Sequence, residues 1–517
     1  MKQFSEKVYL KLIPPTEEDP RSLQKRFIEA LEEDGYPDAK LTLRALRSLE
    51  RACIAGDYGV TAEIVLFDGS IQVFGIEPGD MRSSRFGIAV DYGSTTIIMQ
   101  LVNLNTGEVV RQASVPNGQH VYGTDILTRI TYAMEAEEHA DDLRNATLES
   151  FNALLEQLGE ESGVNLHSLP VMIISGNTAM VHFLLGLNAW TVFASPYAPV
   201  TMNPGWIWGR ELGMDFEGAV YFIPAASNYV GGDIVSGLLT MDFYKKDGLG
   251  VFFDIGTNGE LVIGNRDFLL AGAGAAGPAL EGYISRYGTR AKDGAIDSVH
   301  ISDSRLHYTT IGNARPIGIC GSGIIDLVAQ MRLNGWINIA GELNPDASDQ
   351  IVFIEEDQQY AVAYASAEES ESGEMLYFSQ TDIKQYLETK AAAHTMVDCL
   401  LEAVGCEEGD IDRFYLSGAF SAHSNLESAI AVGIFPDLPR EKFTLIANSS
   451  LDGARTLLLD MSRMEDVERL SEEMHCVQFA SIPDFLIRMY AALFIPHTDM
   501  NRYPSIADRL KKAGLPV

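Results

Sequence analysis

The chain is short of bases. Of its 517 residues, 38 are Lys or Arg against 72 Asp or Glu, a formal net charge of -34. No basic block or stripe interrupts that acidity, which argues against nucleic acid and anionic membranes as partners. Cysteine is scarce too. The five, Cys53, Cys320, Cys399, Cys406 and Cys476, are scattered and form no Cys-x-x-Cys pair. Such spacing supports neither a zinc site nor an iron–sulfur cluster, so no cluster is expected in this chain. No apolar run is long enough to span a bilayer. The start, Met1-Lys-Gln-Phe-Ser-Glu-Lys7, has no apolar h-region and no small-residue cleavage site, so a cytoplasmic location is expected. What remains is globular in composition, 46% hydrophobic and 21% charged, with length for two or three domains.

The most informative stretch is Asp254-Ile-Gly256-Thr257-Asn258-Gly-Glu260. It is entered from the apolar run 250–253 and left through Leu261-Val-Ile263. This reads as strand, glycine turn, strand. The turn sets an acid at a strand end, followed by backbone amides and a small hydroxyl. Successive exposed amides make an anion-binding concavity, and a carboxylate beside phosphate is a usual way to hold Mg2+. An Asp-x-Gly hairpin turn is common, but the chain repeats the pattern. Residues 86–102 carry an apolar strand ending in Asp91-Tyr-Gly93-Ser94-Thr95-Thr96, again followed by an apolar strand. Two such loops, each opening its own half, suggest a duplicated domain whose turns grip a polyphosphate from both sides.

Residues 1–84 read as a separate α+β unit, with a strand at 7–13, two helical stretches and a hairpin turned at Asp68-Gly69. The first half, 85–245, carries Asn117-Gly-Gln119 and then helical spacing to about 159. A buried strand, 170–174, ends in Ser175-Gly-Asn177-Thr178, where a helix begins. Val230-Gly-Gly-Asp233 opens another helix. Gln119, Asn177 and Asp233 are candidates for the wall of a site. For Asn177 the competing role is an ordinary N-cap, and for Asp233 plain dipole compensation. His182, inside the helix after Asn177, reads as a packing residue. The second half, 246–517, holds a Gly/Ala stretch at 271–282, and Cys320-Gly321-Ser322-Gly323 ahead of a helix, where glycines favour an anion. Residues 350–378 are acidic and read as an irregular hairpin or flap. A long helix from Thr381 to Val404 precedes the strand Phe414-Tyr-Leu-Ser417-Gly418.

The two phosphate-loop patterns and the later strand ending in Gly418 resemble the superfamily of sugar and acetate kinases, heat-shock chaperone ATPases and actin. The order Asn117-Gly-Gln119, Gly176-Asn-Thr178, Val230-Gly-Gly-Asp233, 254–258, 277–282, Gly318-Ile-Cys-Gly-Ser-Gly323, Thr381-Asp-Ile383 and 417–420 is similar, more closely, to the reductive activators of corrinoid proteins. Leu12-Ile-Pro-Pro-Thr-Glu-Glu-Asp19-Pro resembles that family's linker.

The resemblance implies an α/β fold of duplicated ribonuclease H-like, actin-like ATPase domains with a nucleotide cleft between them, preceded by a small α+β linker domain. It implies ATP and Mg2+, with ATP hydrolysis driving re-reduction of cobalt(II) to cobalt(I) in a corrinoid protein. Gly93, Ser94, Thr95 and Thr96, with Gly256, Thr257 and Asn258, are then expected on the phosphates, with Gly321 and Ser322 as further nucleotide contacts. Asp91 and Asp254 are expected to hold Mg2+ mainly through water and to be the catalytic acids, and Gly418 to seat adenosine. The family's usual ferredoxin domain, held by four cysteines, has no counterpart in this sequence, and its usual cysteine and methionine are absent from 284–290. A separate ferredoxin or other reductant is therefore expected as partner, and a homodimer is left open. A small-molecule kinase and a non-redox nucleotide switch are the alternatives.

Overall fold

The computed structural model describes residues 2–256, 258–274, 284–418 and 425–517. The chain packs into two units. The first comprises Met1–Met241 and Ser449–Glu473, the second Asp242–Asn448 and Met474–Val517.

The first unit begins with a four-stranded sheet in the order Ser5–Lys11, Gly59–Phe67, Ser70–Pro78, Lys40–Leu41. The expected hairpin is present, and Asp68 and Gly69 both turn through positive φ, +47° and +73°. That is the mirror-image turn matching the right-handed twist of paired strands. Helices Leu23–Glu33 and Leu43–Ala55 cover the sheet, capped by the side chains of Ser22 and Thr42. Phe27, Leu31, Leu49 and Ala52 face its core. On its other side Phe67 stacks on Trp208, ring centroids 4.4 Å apart, which fastens this domain to the next.

The second sheet of this unit runs Val109–Pro116, Thr96–Asn103, Phe86–Tyr92, Val171–Gly176, Ala219–Phe222, Trp206–Trp208. The first three strands form an antiparallel meander. Val171–Gly176 and Ala219–Phe222 then join parallel. A parallel strand needs a long crossover, supplied here by the helices Ile126–Glu135 and Glu137–Ser162, which bury Ile130, Phe151, Leu154 and Leu158.

The second unit repeats this order. Leu269–Gly274, Gly259–Gly264 and Leu249–Ile255 form the meander, and Ile411–Ser417 and Phe443–Leu445 follow parallel. The duplication read from two loops is thus a duplication of strand order. Here the crossover contains helix Gln380–Ala403, started by a capping box between Ser379 and Asp382. Residues 350–378, read as an irregular hairpin or flap, instead supply a three-stranded sheet, Ile351–Ile354, Gln359–Ala365 and Leu376–Ser379. The acids at 355–357 fall in its turn, while Val362, Tyr364 and Phe378 are buried.

Residues 449–473, read as part of the C-terminal domain, pack with the first unit. Helix Ser449–Leu459 approaches helix Gly232–Leu238 so closely that a Cβ at Gly453 would lie 1.9 Å from the Ser236 carbonyl. Only glycine permits that contact, and sequence order alone does not reveal it.

Candidate functional site

Each meander carries an acid next to the end of its inner strand. In the first, Asp91 lies one residue from the end of Phe86–Tyr92, in register with Ser175 on the parallel neighbour. Ser450, 7% exposed, donates its hydroxyl to the Asp91 carboxylate at 2.8 Å and lies 2.8 Å from the Ser175 hydroxyl. Its own carbonyl accepts from Ser236 Oγ at 2.7 Å. The helix start at 449–450 thus orients Asp91. Nothing in the sequence ties Ser450 to a residue so far upstream.

Asp233 joins this group. Burial pushes its carboxyl up to about 6, the N–H of Ile234 at 2.9 Å opposes that, and the negative charge of Asp91 adds to the rise. A Cβ at Gly231 would stand 2.7 Å from Asp233 Oδ1, 2.8 Å from Asn177 Cα and 2.9 Å from the Thr178 amide. Asp91, Asn177 and Asp233 are therefore brought together. The Asn177 side chain caps helix Thr178–Leu185 by accepting from Ala179 N at 3.0 Å. His182 is fully buried with Nδ1 2.7 Å from the Thr178 carbonyl, and burial lowers its pKa, as befits a packing residue.

The turn from Gly93 to Thr95 is held from behind. Asn117 Nδ2 donates to the Gly93 carbonyl at 3.0 Å, Arg129 to the Ser94 carbonyl at 2.7 Å, and the Asn117 amide to the Thr95 carbonyl at 2.9 Å. In a trans peptide the N–H opposes the preceding C=O, so the amides of Ser94 and Thr95 point away from these clamps. A Cβ at Gly93 would sit 2.6 Å from the Thr96 carbonyl, so the turn requires glycine. Gln119 lies behind this turn. Fully buried, it donates to Thr147 Oγ1 at 2.8 Å and the Leu143 carbonyl at 3.1 Å, and accepts from Arg129 at 3.2 Å. It supports the clamp; Arg129, 1% exposed, was not singled out from the sequence.

In the second unit Asp254 pairs with Glu260 across the hairpin and with Ser417 on the parallel strand. Directly opposed residues share a face of the sheet, where like charges repel. Two carboxylates so placed suit a cation. The Gly256 amide donates to the Asn258 carbonyl at 2.9 Å, closing the turn; Thr257 lies outside the described residues. Gly418 has φ +86°, and a Cβ there would fall 2.3 Å from the Ile255 carbonyl and 2.5 Å from Asp254 Oδ1. Gly418, just after strand Ile411–Ser417, and Asp254, next to the end of Leu249–Ile255, are thus neighbours. Residues 419–420 and 277–282 of the expected pattern lie outside the described residues. Gly321 and Ser322 are buried at the start of helix Gly321–Leu333, and Ser322 Oγ donates to the Asp297 carbonyl at 2.9 Å. That bond pins the helix to strand Ala295–Ser302.

The residues fit ATP and Mg2+. Opposed or adjacent acids lie at both strand ends, one turn directs amides away from its clamp, and a glycine cradle beside Asp254 has no room for a Cβ. Among the described residues His394, Asp398 and Glu408 have metal-ligand spacing. There, however, Arg502 already pairs with both carboxylates.

Comparison with known proteins matches successive stretches of the chain to one family. Residues 1–83 match the RACo linker region, 86–246 the RACo middle region, and 249–507 the C-terminal domain of RACo, the ASKHA domain. A solved structure of a reductive activator for corrinoid, iron–sulfur protein superposes with a TM-score of 0.87 at 33% identity, over 97% of this chain and 81% of that one. This chain belongs to the RACo family. The duplicated sheet is the ASKHA fold, as expected. Among the family's relatives, the corrinoid activation enzyme RamQ of Eubacterium limosum is 27% identical over 430 residues, 82% of this chain and 72% of that protein. The [Co(II) methylated amine-specific corrinoid protein] reductase of Methanosarcina barkeri is 22% identical over 428 residues, 75% of this chain and 72% of that protein. No helix among the described residues is long and apolar enough to cross a membrane.

Proposed function

We propose that this RACo-family chain is an ATP-hydrolysing activator of a corrinoid protein. It couples ATP plus water going to ADP plus phosphate to transfer of one electron, from a separate ferredoxin or other reductant, onto cobalt(II), giving cobalt(I). The observation that carries the ATPase reading is the same strand order built twice with an acid at the same strand end, Asp91 and Asp254. The corrinoid target rests on likeness along 97% of the chain to a reductive activator.

In this reading the Ser94 and Thr95 amides, aided by Thr96, take phosphate oxygens at the first turn. The turn at Gly256 to Asn258 does so at the second. Asp91 and Asp254 would hold hydrated Mg2+, which would neutralise phosphate charge. One of these acids orients the attacking water. Ser450 keeps the Asp91 carboxylate directed, and Asp233 stands next to it, its carboxyl raised to about 6 by burial and by the Asp91 charge. Gly418 lets adenosine approach the backbone. Positioning and charge neutralisation carry such a reaction, with no covalent intermediate on the protein.

The test is to mix the chain with a cobalt(II) corrinoid protein, reductant and Mg-ATP, and to follow the cobalt(II) absorption together with phosphate release. The expected result is ATP-dependent loss of cobalt(II), with both signals abolished in Asp254→Ala and that variant's melting curve retained. Reduction at the same rate without ATP, or accumulation of a phosphorylated small molecule, would refute the proposal. Wild-type turnover in Asp254→Ala would remove that residue from the mechanism.

A further inference from the structure

A cavity lies in the first unit, where the N-terminal domain meets the sheet domain. Its volume is about 600 Å3, within the roughly 300–1,000 Å3 common for small-molecule sites. One wall is helix Leu43–Ala55, which lends it Arg44, Arg47, Ser48 and Arg51. These positions, i, i+3, i+4 and i+7, form a single stripe of a helix. The opposite wall includes Asn165 and Ser168, in the connection that follows the long helix Glu137–Ser162.

The charges of this cavity divide into two groups. Lys7 is 3.8 Å from Glu63 and also bonds Glu77, while Arg44 pairs with Glu217 and lies 4.7 Å over the Phe74 ring. These cations are answered by the acids of the lining. Burial pushes the Glu63 carboxyl up to about 7, which further lessens the negative charge of that wall. Arg47 and Arg51 are different. Both are exposed at the cavity, and neither side chain has a hydrogen bond or ion pair with another described residue. Like charges four apart on a helix repel. In a chain with a net charge of -34, ordinary surface design would pair them with nearby acids. Instead they stand together over a polar hollow, two guanidinium forks whose shape matches an oxyanion bidentately.

We propose that this cavity binds a phosphate-bearing anion, its phosphate taken by Arg47 and Arg51 and any further polar part by Ser48, Asn165 and Ser168. Two guanidiniums suit the two charges of a phosphate or phosphomonoester, and the volume leaves space for a small hydroxylated body. Because the lining comes from both domains, a bound ligand fastens helix Leu43–Ala55 to the connection around 163–169. This site shares no residue with the nucleotide reading and does not depend on it.

The test is hydrogen–deuterium exchange on the full chain with inorganic phosphate or ribose 5-phosphate, against chloride at matched ionic strength. Saturable slowing of exchange in 43–55 and 163–169 is expected. It should weaken at least tenfold in Arg47→Gln/Arg51→Gln and persist in Asp254→Ala. Saturation at a tenfold lower concentration of ribose 5-phosphate than of phosphate identifies the ligand as a larger phosphorylated molecule; equal concentrations identify free phosphate. Absence of slowing, equal slowing in chloride, an unchanged response in the double arginine variant, or loss of the response in Asp254→Ala would each overturn the assignment.

Discussion

Ser450→Ala separates the geometry of the first strand end from its stability. The Ser450 hydroxyl donates to Asp91 at 2.8 Å and meets Ser175 at 2.8 Å. A hydrogen bond to a charged group contributes about 1.5–3 kcal/mol, and a neutral one about 0.5–1.5 kcal/mol. Ser175 keeps a second acceptor, the Gly232 carbonyl at 3.2 Å, so no donor there is stranded by the change. The stability cost should therefore stay near 1.5–3 kcal/mol, roughly 2–4 °C of melting temperature per kcal/mol for a unit of this size. Turnover should suffer more. If the Asp91 carboxylate must be held for hydrolysis, losing about 1.5–3 kcal/mol of orientation lowers the rate roughly ten- to hundredfold, at about 1.4 kcal/mol per tenfold. Phosphate release at saturating Mg-ATP, beside a melt followed by circular dichroism, measures both. In an Asp91→Asn background the serine change should cost almost nothing further in rate, because groups acting as one unit are not additive. Wild-type turnover in Ser450→Ala, or rate losses that simply multiply in the double variant, would refute the reasoning.

Gly418→Ala imposes a left-handed residue, costing about 1–2 kcal/mol, and puts a methyl 2.5 Å from Asp254 Oδ1. A melt lowered by several degrees and at least a tenfold loss of ATP turnover are expected, and wild-type values for both would refute it. Glu63→Gln tests burial in the N-terminal domain. The folded state raises this carboxyl from 4.5 to about 7, so its contribution to stability is whole below the unfolded value and is lost as pH rises through 7. The glutamine variant, which never ionises, should gain melting temperature over wild type at pH 8 but not at pH 5. The shift caps that gain on the order of 3 kcal/mol, and an equal difference at both pH values would count against it.

Both acid-tipped turns were legible because their signals are local. An apolar run, an acid and glycine specify strand and bend within ten residues, and the structure supplies Phe86–Tyr92 and Leu249–Ile255 with Asp91 and Asp254 near their ends. The cap at Asn177 was equally local. What stayed hidden depends on tertiary distance. Ser450 reaches Asp91 across 359 positions of sequence. Gln119 looked like a polar residue facing a ligand; only the packing of Tyr92, Thr147 and Arg129 around it reveals a buried support. The sheet across 351–379 was missed because acids in its turn and edges mask the short apolar alternation, with Val362, Tyr364 and Phe378 turned inward.

The return of Ser449–Glu473 to the first unit governs the order in which this protein can mature on the ribosome. When Met241 emerges, the earlier unit still lacks the serine that steadies Asp91. It must wait through the whole of 242–448 for its last two helices. A gene fragment cut at Met241 would therefore yield a sheet with an uncovered flank, and rescuing it would require supplying 449–473 as a tethered or added peptide.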